Sequence, residues 1–161
     1  MKQVKIKLNG GIMPKKQHEG DAAFDLYIPE DVALVCGRQI VDLKFSLEMP
    51  KEYAATIQPR SGFSAKGIEA VVVDRYFNDE SEPYEKRLDA DVVRGLVDSG
   101  YRGSVGVIIK VDEHHDEMLL KKGTRIAQMQ IVEVPQVELI EVDELSGTDR
   151  NEGGFGSTGA L

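Results

Sequence analysis

The feature that most constrains this chain is a hydrophobic period of two. Val4, Ile6 and Leu8 alternate with Lys5 and Lys7, and Val41, Leu43, Phe45, Leu47 and Met49 alternate with Asp42, Lys44, Ser46 and Glu48 until Pro50 closes the run. Tyr53, Ala55 and Ile57 continue the pattern, and Val105, Val107, Ile109 and Val111 repeat it. Ile126 to Val134 and Val137 to Val142 add two more runs. Successive side chains of a strand point to opposite faces, so this alternation predicts strands with one buried face. Many short strands separated by Gly, Pro and Asp turns predict an all-β sandwich or barrel.

One stretch reads differently. Ser81 to Arg94 places Tyr84, Leu88 and Val92 four apart, with Ser81 as N-cap and Glu82 four residues before Lys86. That spacing predicts a short amphipathic helix. Asp74 to Asp91 also holds seven acids against three bases, so the alternative is a solvated acidic loop.

With 161 residues, length favours a single domain. A domain of roughly 150 residues buries about two-thirds of its unfolded surface and needs no staple. A duplex-binding protein usually carries a basic face, and with a net charge of −8 nothing in this sequence looks like one, which makes nucleic acid a poor first guess for a partner. That charge does not exclude small anions, which a few arginines and backbone amides bind locally. Cys36 is the lone cysteine, read as a small buried apolar residue in a reducing, cytoplasmic compartment. No apolar run approaches the roughly 18 residues that span a membrane.

Four segments carry candidate chemistry, and a fifth joins them by position. Gln58-Pro59-Arg60-Ser61-Gly62 follows a strand and offers a guanidinium fork, a hydroxyl and a bare amide, all suited to phosphate. Gly95-Leu96-Val97-Asp98-Ser99-Gly100-Tyr101-Arg102-Gly103 places an acid at the end of an apolar run, three residues before a tyrosine. Such an Asp can deprotonate a water, and such a Tyr offers a flat wall for a sugar or base. Lys122 to Met129 reads as a core strand, with Gln128 free to face either way. Arg150 to Gly159 is glycine-rich with hydroxyls at Ser157 and Thr158, yet lacks the ending of a Walker A loop. Asp25, between Phe24 and Leu26, reads alone as a paired or capping carboxylate. Taken singly, each segment has a plain structural explanation. His114-His115-Asp116-Glu117 reads as a polar hairpin loop, since neighbours on a strand point to opposite faces and rarely chelate one ion.

Together and in this order, the segments resemble the five motifs of the trimeric dUTPase family. Ala23 to Tyr27, Pro59 to Gly62, Gly95 to Gly103, Gly123 to Gln128 and Arg150 to Gly159 match motifs one to five. The resemblance implies a β jelly roll over residues 1–145, a glycine-rich arm over 146–161, and a homotrimer whose sites draw on more than one subunit. It implies hydrolysis of dUTP to dUMP and pyrophosphate with Mg2+. Asp98 would be the general base and Tyr101 would pack on the deoxyribose. The backbone of Gly95, Leu96 and Val97 would read uracil. Arg60, Ser61, Gly62 and Gln128 would hold phosphate oxygens. Arg150 would reach the terminal phosphates, Phe155 would stack over uracil, and Gly156, Ser157 and Thr158 would close on the triphosphate. Asp25 would touch the metal through water.

The stretch from Gly67 to Gly95 is longer than the family usually has, which marks an insertion at about 70–92 that could shield the site, reshape the trimer surface or bind a protein partner. A dCTP deaminase of the same fold is the nearest rival, but no deaminating glutamate stands out. A regulatory binding protein is the other, against which the complete motif set argues.

Overall fold

The alternating runs become strands in the computed structural model, which describes residues 2–75 and 82–148. In chain order these are β1 (Lys5–Leu8), β2 (Phe24–Tyr27), β3 (Val32–Ala33), β4 (Gly37–Asp42), β5 (Phe45–Glu48), β6 (Tyr53–Gln58), the short helix α1 (Ser61–Lys66), β7 (Ile68–Val73), β8 (Tyr84–Leu88), β9 (Ala90–Val93), β10 (Gly95–Val97), β11 (Gly106–Val111), β12 (Glu117–Leu120) and β13 (Arg125–Glu133). They pair into four small sheets of order β1-β5, β10-β6-β13-β2, β4-β11-β9 and β3-β12-β7-β8. The sheets wrap one apolar core, the all-β architecture that the period predicts and the jelly-roll barrel that the resemblance implies.

Burial follows the alternation closely. Val105, Val107, Ile109 and Val111 are at most 1% exposed. The run from Val41 to Met49 keeps its inward face although Lys44, at φ 55°, breaks it into β4 and β5.

Three expectations need correction. Residues 84–93 are not helical. They form β8 and β9, and the one helix among the described residues is α1, outside the insertion. The described residues of the stretch about 70–92 therefore belong largely to β7, β8 and β9. β7 pairs with both β8 and β12, and Val72 and Leu88 are fully buried. Gly67 holds this segment against α1. It adopts φ 72°, its N–H closes the helix on the Phe63 carbonyl at 2.8 Å, and a Cβ there would overlap the Leu88 carbonyl. Ser81 lies outside the described residues.

Second, Val137 to Val142 forms no strand. Its backbone has no partner strand among the described residues, and a strand without one leaves its ladder unsatisfied. Third, Cys36 is exposed, in the turn before β4.

His114 to Asp116 lie in the connection from β11 to β12, as a polar loop. His115 is partly buried there, with Nδ1 2.8 Å from Asp74 and Nε2 3.0 Å from Lys86 Nζ. Lys86 also pairs with Glu113, whose Oε1 accepts the Asp89 N–H. The cluster ties the β7–β8 hairpin to this loop, and it draws the Glu113 carboxyl down to about 2, first through Lys86 and then through the Asp89 amide.

Candidate active site

Register builds the first half of the site. β13 lies between β2 and β6, and its Gln128 stands opposite both Asp25 and Gln58, so three polar residues share one row across the sheet. Pro59 ends β6, and Arg60 takes the N-cap position of α1 with φ −85° and ψ 145°. Arg60 Nε donates to Asp25 Oδ1 at 2.8 Å, and Arg125 Nη1, from the start of β13, donates to Oδ2 at 3.2 Å. Asp25 is 7% exposed and is the one buried charged side chain among the described residues. A buried carboxylate is costly unless paired, and here two guanidinium groups pair it. Gln128 Nε2 donates to the Pro59 carbonyl at 3.0 Å, which fixes the amide beside Arg60.

These residues and Ser61 line a cavity of about 460 Å³. Its far wall is the loop from Gln17 to Ala23, shaped by Asp21, whose Oδ2 accepts the N–H groups of Gln17 and His18 at 3.0 and 2.9 Å. Gly62 lines an adjoining cavity instead, together with Lys66, and Arg60 and Arg125 form the wall between the two.

The second half stands on β10, an edge strand that pairs only with β6. Alternate residues of an edge strand turn their N–H and C=O away from the partner, so unpaired backbone groups face outward here. β10, with Ile40, Ile57 and Ile108, walls a cavity of about 320 Å³, and Asp98 and Tyr101 stand at its rim. Asp98 to Tyr101 form a turn closed by the Tyr101 N–H on the Asp98 carbonyl at 3.1 Å. Tyr101 Oη donates to the Ser104 carbonyl at 3.1 Å, and its ring lies so close over Gly103 that a Cβ there would overlap Oη and Cζ. Ser104 Oγ donates in turn to Asp42, holding that carboxyl below its usual range with help from the Lys44 amide. Asp98 is exposed, and its carboxylate makes no hydrogen bond or ion pair with the described residues.

The chain thus brings Asp25, Arg60, Ser61 and Gln128 together. It brings Gly95, Leu96, Val97, Asp98 and Tyr101 together elsewhere. The two cavities share no lining residue. Arg150, Phe155, Gly156, Ser157 and Thr158 lie outside the described residues. Sequence reasoning missed Arg125 and the Gln17–Asp21 loop. The signal for Arg125 was a cation opening a core strand, which needs a buried acid nearby to make sense.

Comparison with known proteins bears on these cavities. The dUTPase family model matches residues 9–82 and 80–159, two segments that meet between β7 and β8. The chain is 36% identical to the deoxyuridine 5'-triphosphate nucleotidohydrolase of Alkaliphilus metalliredigens, covering 99% of each, and 35% identical to that of Clostridium acetobutylicum, covering 99% of this chain and 98% of the relative. Among solved structures, the dUTPase of Staphylococcus bacteriophage 80alpha with dUpNHpp superposes with a TM-score of 0.76 at 27% identity, covering 98% of both chains. A dUTPase of S. aureus phage phi11, described with a structural Mg(II) ion, gives 0.69 at 20% identity over 88% of this chain and 97% of its own, a likeness of fold.

Proposed function

The chain belongs to the dUTPase family and is a dUTP diphosphatase, a hydrolase that converts dUTP to dUMP, and on that premise we propose how its own residues divide the reaction. The observation that carries the reading is the pair of unlike cavities, one lined by paired charges and one apolar with an unpaired carboxylate at its rim. The apolar cavity takes uracil and deoxyribose. The outward backbone groups of β10, which spans Gly95, Leu96 and Val97, read the base edge, so cytosine would leave donors and acceptors unpaired. The Tyr101 ring packs on the deoxyribose and leaves no room for a 2′-hydroxyl. Asp98 takes the proton of the attacking water and aims it in line at the α-phosphorus.

The charged cavity takes the phosphates. Arg60, Ser61 and Gln128 donate to their oxygens from its lining, and Gly62 from the adjoining cavity, and so offset the charge that grows on departing pyrophosphate. Arg150, Phe155, Gly156, Ser157 and Thr158 keep the roles that family resemblance gives them, in an arm over 146–161 that closes on bound substrate.

The residues fit a magnesium ion of one kind only. Among the described residues no three His, Cys, Asp or Glu side chains group to hold a metal. Asp25 gives each oxygen to one guanidinium and keeps a lone pair on each, which suits contact with metal-bound water rather than with the ion. Mg2+ carried by the substrate phosphates would neutralise charge on the leaving group.

Because the two cavities share no residue within one chain, we assign the complete site to a homotrimer with motifs from more than one subunit. Exposed apolar side chains after β13, among them Val137 and Leu139 at 79% and 95% exposure, support an assembly that covers them. No helix among the described residues is long and apolar enough to cross a membrane. In a cytoplasmic setting the reaction would limit uracil in DNA and supply dUMP for dTMP synthesis. The test is product accounting with Mg2+ and each of dUTP, dCTP, dTTP and UTP. Pyrophosphate from dUTP alone is expected. Ammonia from dCTP would move the chain to the deaminases.

A further inference from the structure

Asp25 is engaged on both oxygens by this chain itself. Arg60 reaches Oδ1 through Nε and Arg125 reaches Oδ2 through Nη1. The side chains of Arg60 and Arg125 are 27% and 44% exposed, against 10% for that of Asp25, so two cations stand on the solvent side of a buried anion. Attachment through Nε leaves both Nη groups of Arg60 without a hydrogen bond to the described residues. Arg125 commits one N–H and keeps the rest of its fork. A guanidinium fixed from behind presents a planar set of donors outward, which is the geometry that binds phosphate oxygens in pairs. Both arginines line the cavity that holds Ser61 and Gln128. Two positive groups against one carboxylate leave the trio a net charge of about +1, favourable to an anion.

Resting on the dUTP reading above, we propose that Arg125 is a second phosphate-binding arginine of this site, and that Asp25 is the positioning residue that holds Arg125 and Arg60 side by side. The ligand chemistry is the β- and γ-phosphates of the nucleotide, which the two forks grip together. Asp25 can also touch metal-bound water, but that role needs the ion and the positioning role does not.

The experiment compares calorimetric binding of dUMP and of the α,β-imido analogue of dUTP, each with Mg2+ and with EDTA. Arg125→Gln should weaken the imido analogue by about ten- to a hundredfold, the range of a lost charge-assisted hydrogen bond, while dUMP binding holds. Arg125→Lys should recover part of the loss, since it restores charge but not the fork. Asp25→Asn should show the same selective loss, and should show it in EDTA as well. Equal weakening of dUMP and the analogue, or no weakening of either, would overturn the assignment of Arg125. A loss in Asp25→Asn that vanishes in EDTA would overturn the positioning role. If Asp25→Asn does not fold, Arg125→Gln and Arg125→Lys decide alone. Failure of the unsubstituted chain to bind the imido analogue at all would instead take down the dUTP reading, and this proposal with it.

Discussion

Asp25 and Asp98 belong to the two cavities of one molecule and are held in opposite ways. Asp25 sits on β2, at the edge opposite β10 of the same four-stranded sheet, buried, with a guanidinium on each oxygen. Asp98 sits at the end of an edge strand, exposed, with no partner among the described residues. A carboxylate with a guanidinium on each oxygen is fixed in place by its partners. A carboxylate without partners keeps its lone pairs for a water. The difference teaches that acids within one site are sorted into structural and chemical roles by their neighbours rather than by residue type.

The largest expected effect tests that sorting directly. Asp98→Asn should lower kcat by about a hundred- to ten-thousandfold, the usual range for a general base, while the imido analogue of dUTP still binds. Steady-state turnover and calorimetry on the same protein check it. Near-normal turnover would erase the contrast between the two carboxylates.

How much of this was legible before the fold is clearest where a side chain meets its partners nearby. Val105 to Val111 announced themselves, because alternation is a local property and burial follows it. The helix expected over 81–94 failed for an arithmetic reason. A spacing of four keeps one face in a helix, but it also keeps one face in a strand, where four is twice the period. Ala90, buried between Leu88 and Val92, is the residue that tells the periods apart. Val137 to Val142 carried a true strand pattern with no strand among the described residues to pair with, and such a pattern cannot report its partner. Cys36 was assigned to the interior by residue type, and the turn before β4 overrode it. Asp25, Arg60 and Gln128, to which the motifs give metal and phosphate roles, lie side by side in the fold. The engagement of Asp25 by Arg125 stayed hidden, because it joins residues 100 apart in sequence through a strand register that no local signal fixes.

A smaller effect sharpens the apolar side of the comparison. Tyr101 is held over Gly103 by its hydroxyl on the Ser104 carbonyl, so its ring is a fixed wall rather than a mobile flap. Tyr101→Ala should reduce discrimination between dUTP and UTP by about ten- to a hundredfold in kcat/KM, the scale on which a shape-filled pocket separates substrates. Gly103→Ala should move in the same direction by displacing the ring. If discrimination survives both, the 2′ position is policed elsewhere.

The smallest effect comes from a third carboxylate, which serves as a control on the other two. Glu113 is paired like Asp25, with Lys86, the Asp89 amide and His115, but it lines neither cavity. If pairing alone marks a structural acid, Glu113→Gln should leave kcat/KM for dUTP unchanged and lower stability by about 1 kcal/mol or less, as partly exposed ion pairs do. Its pH signature has a definite sign. The folded value of about 2 lies below the ordinary 4.5. The stabilisation is therefore fully present above pH 4.5 and disappears as pH falls towards 2. Thermal unfolding of the two proteins followed from neutral pH downward should accordingly converge across that window. A gap that stays constant to the acid end would mean that the substitution disturbs packing of the β7–β8 hairpin rather than charge. A fall in turnover would mean that this hairpin reaches the site, and the division into two carboxylate roles would then need a third.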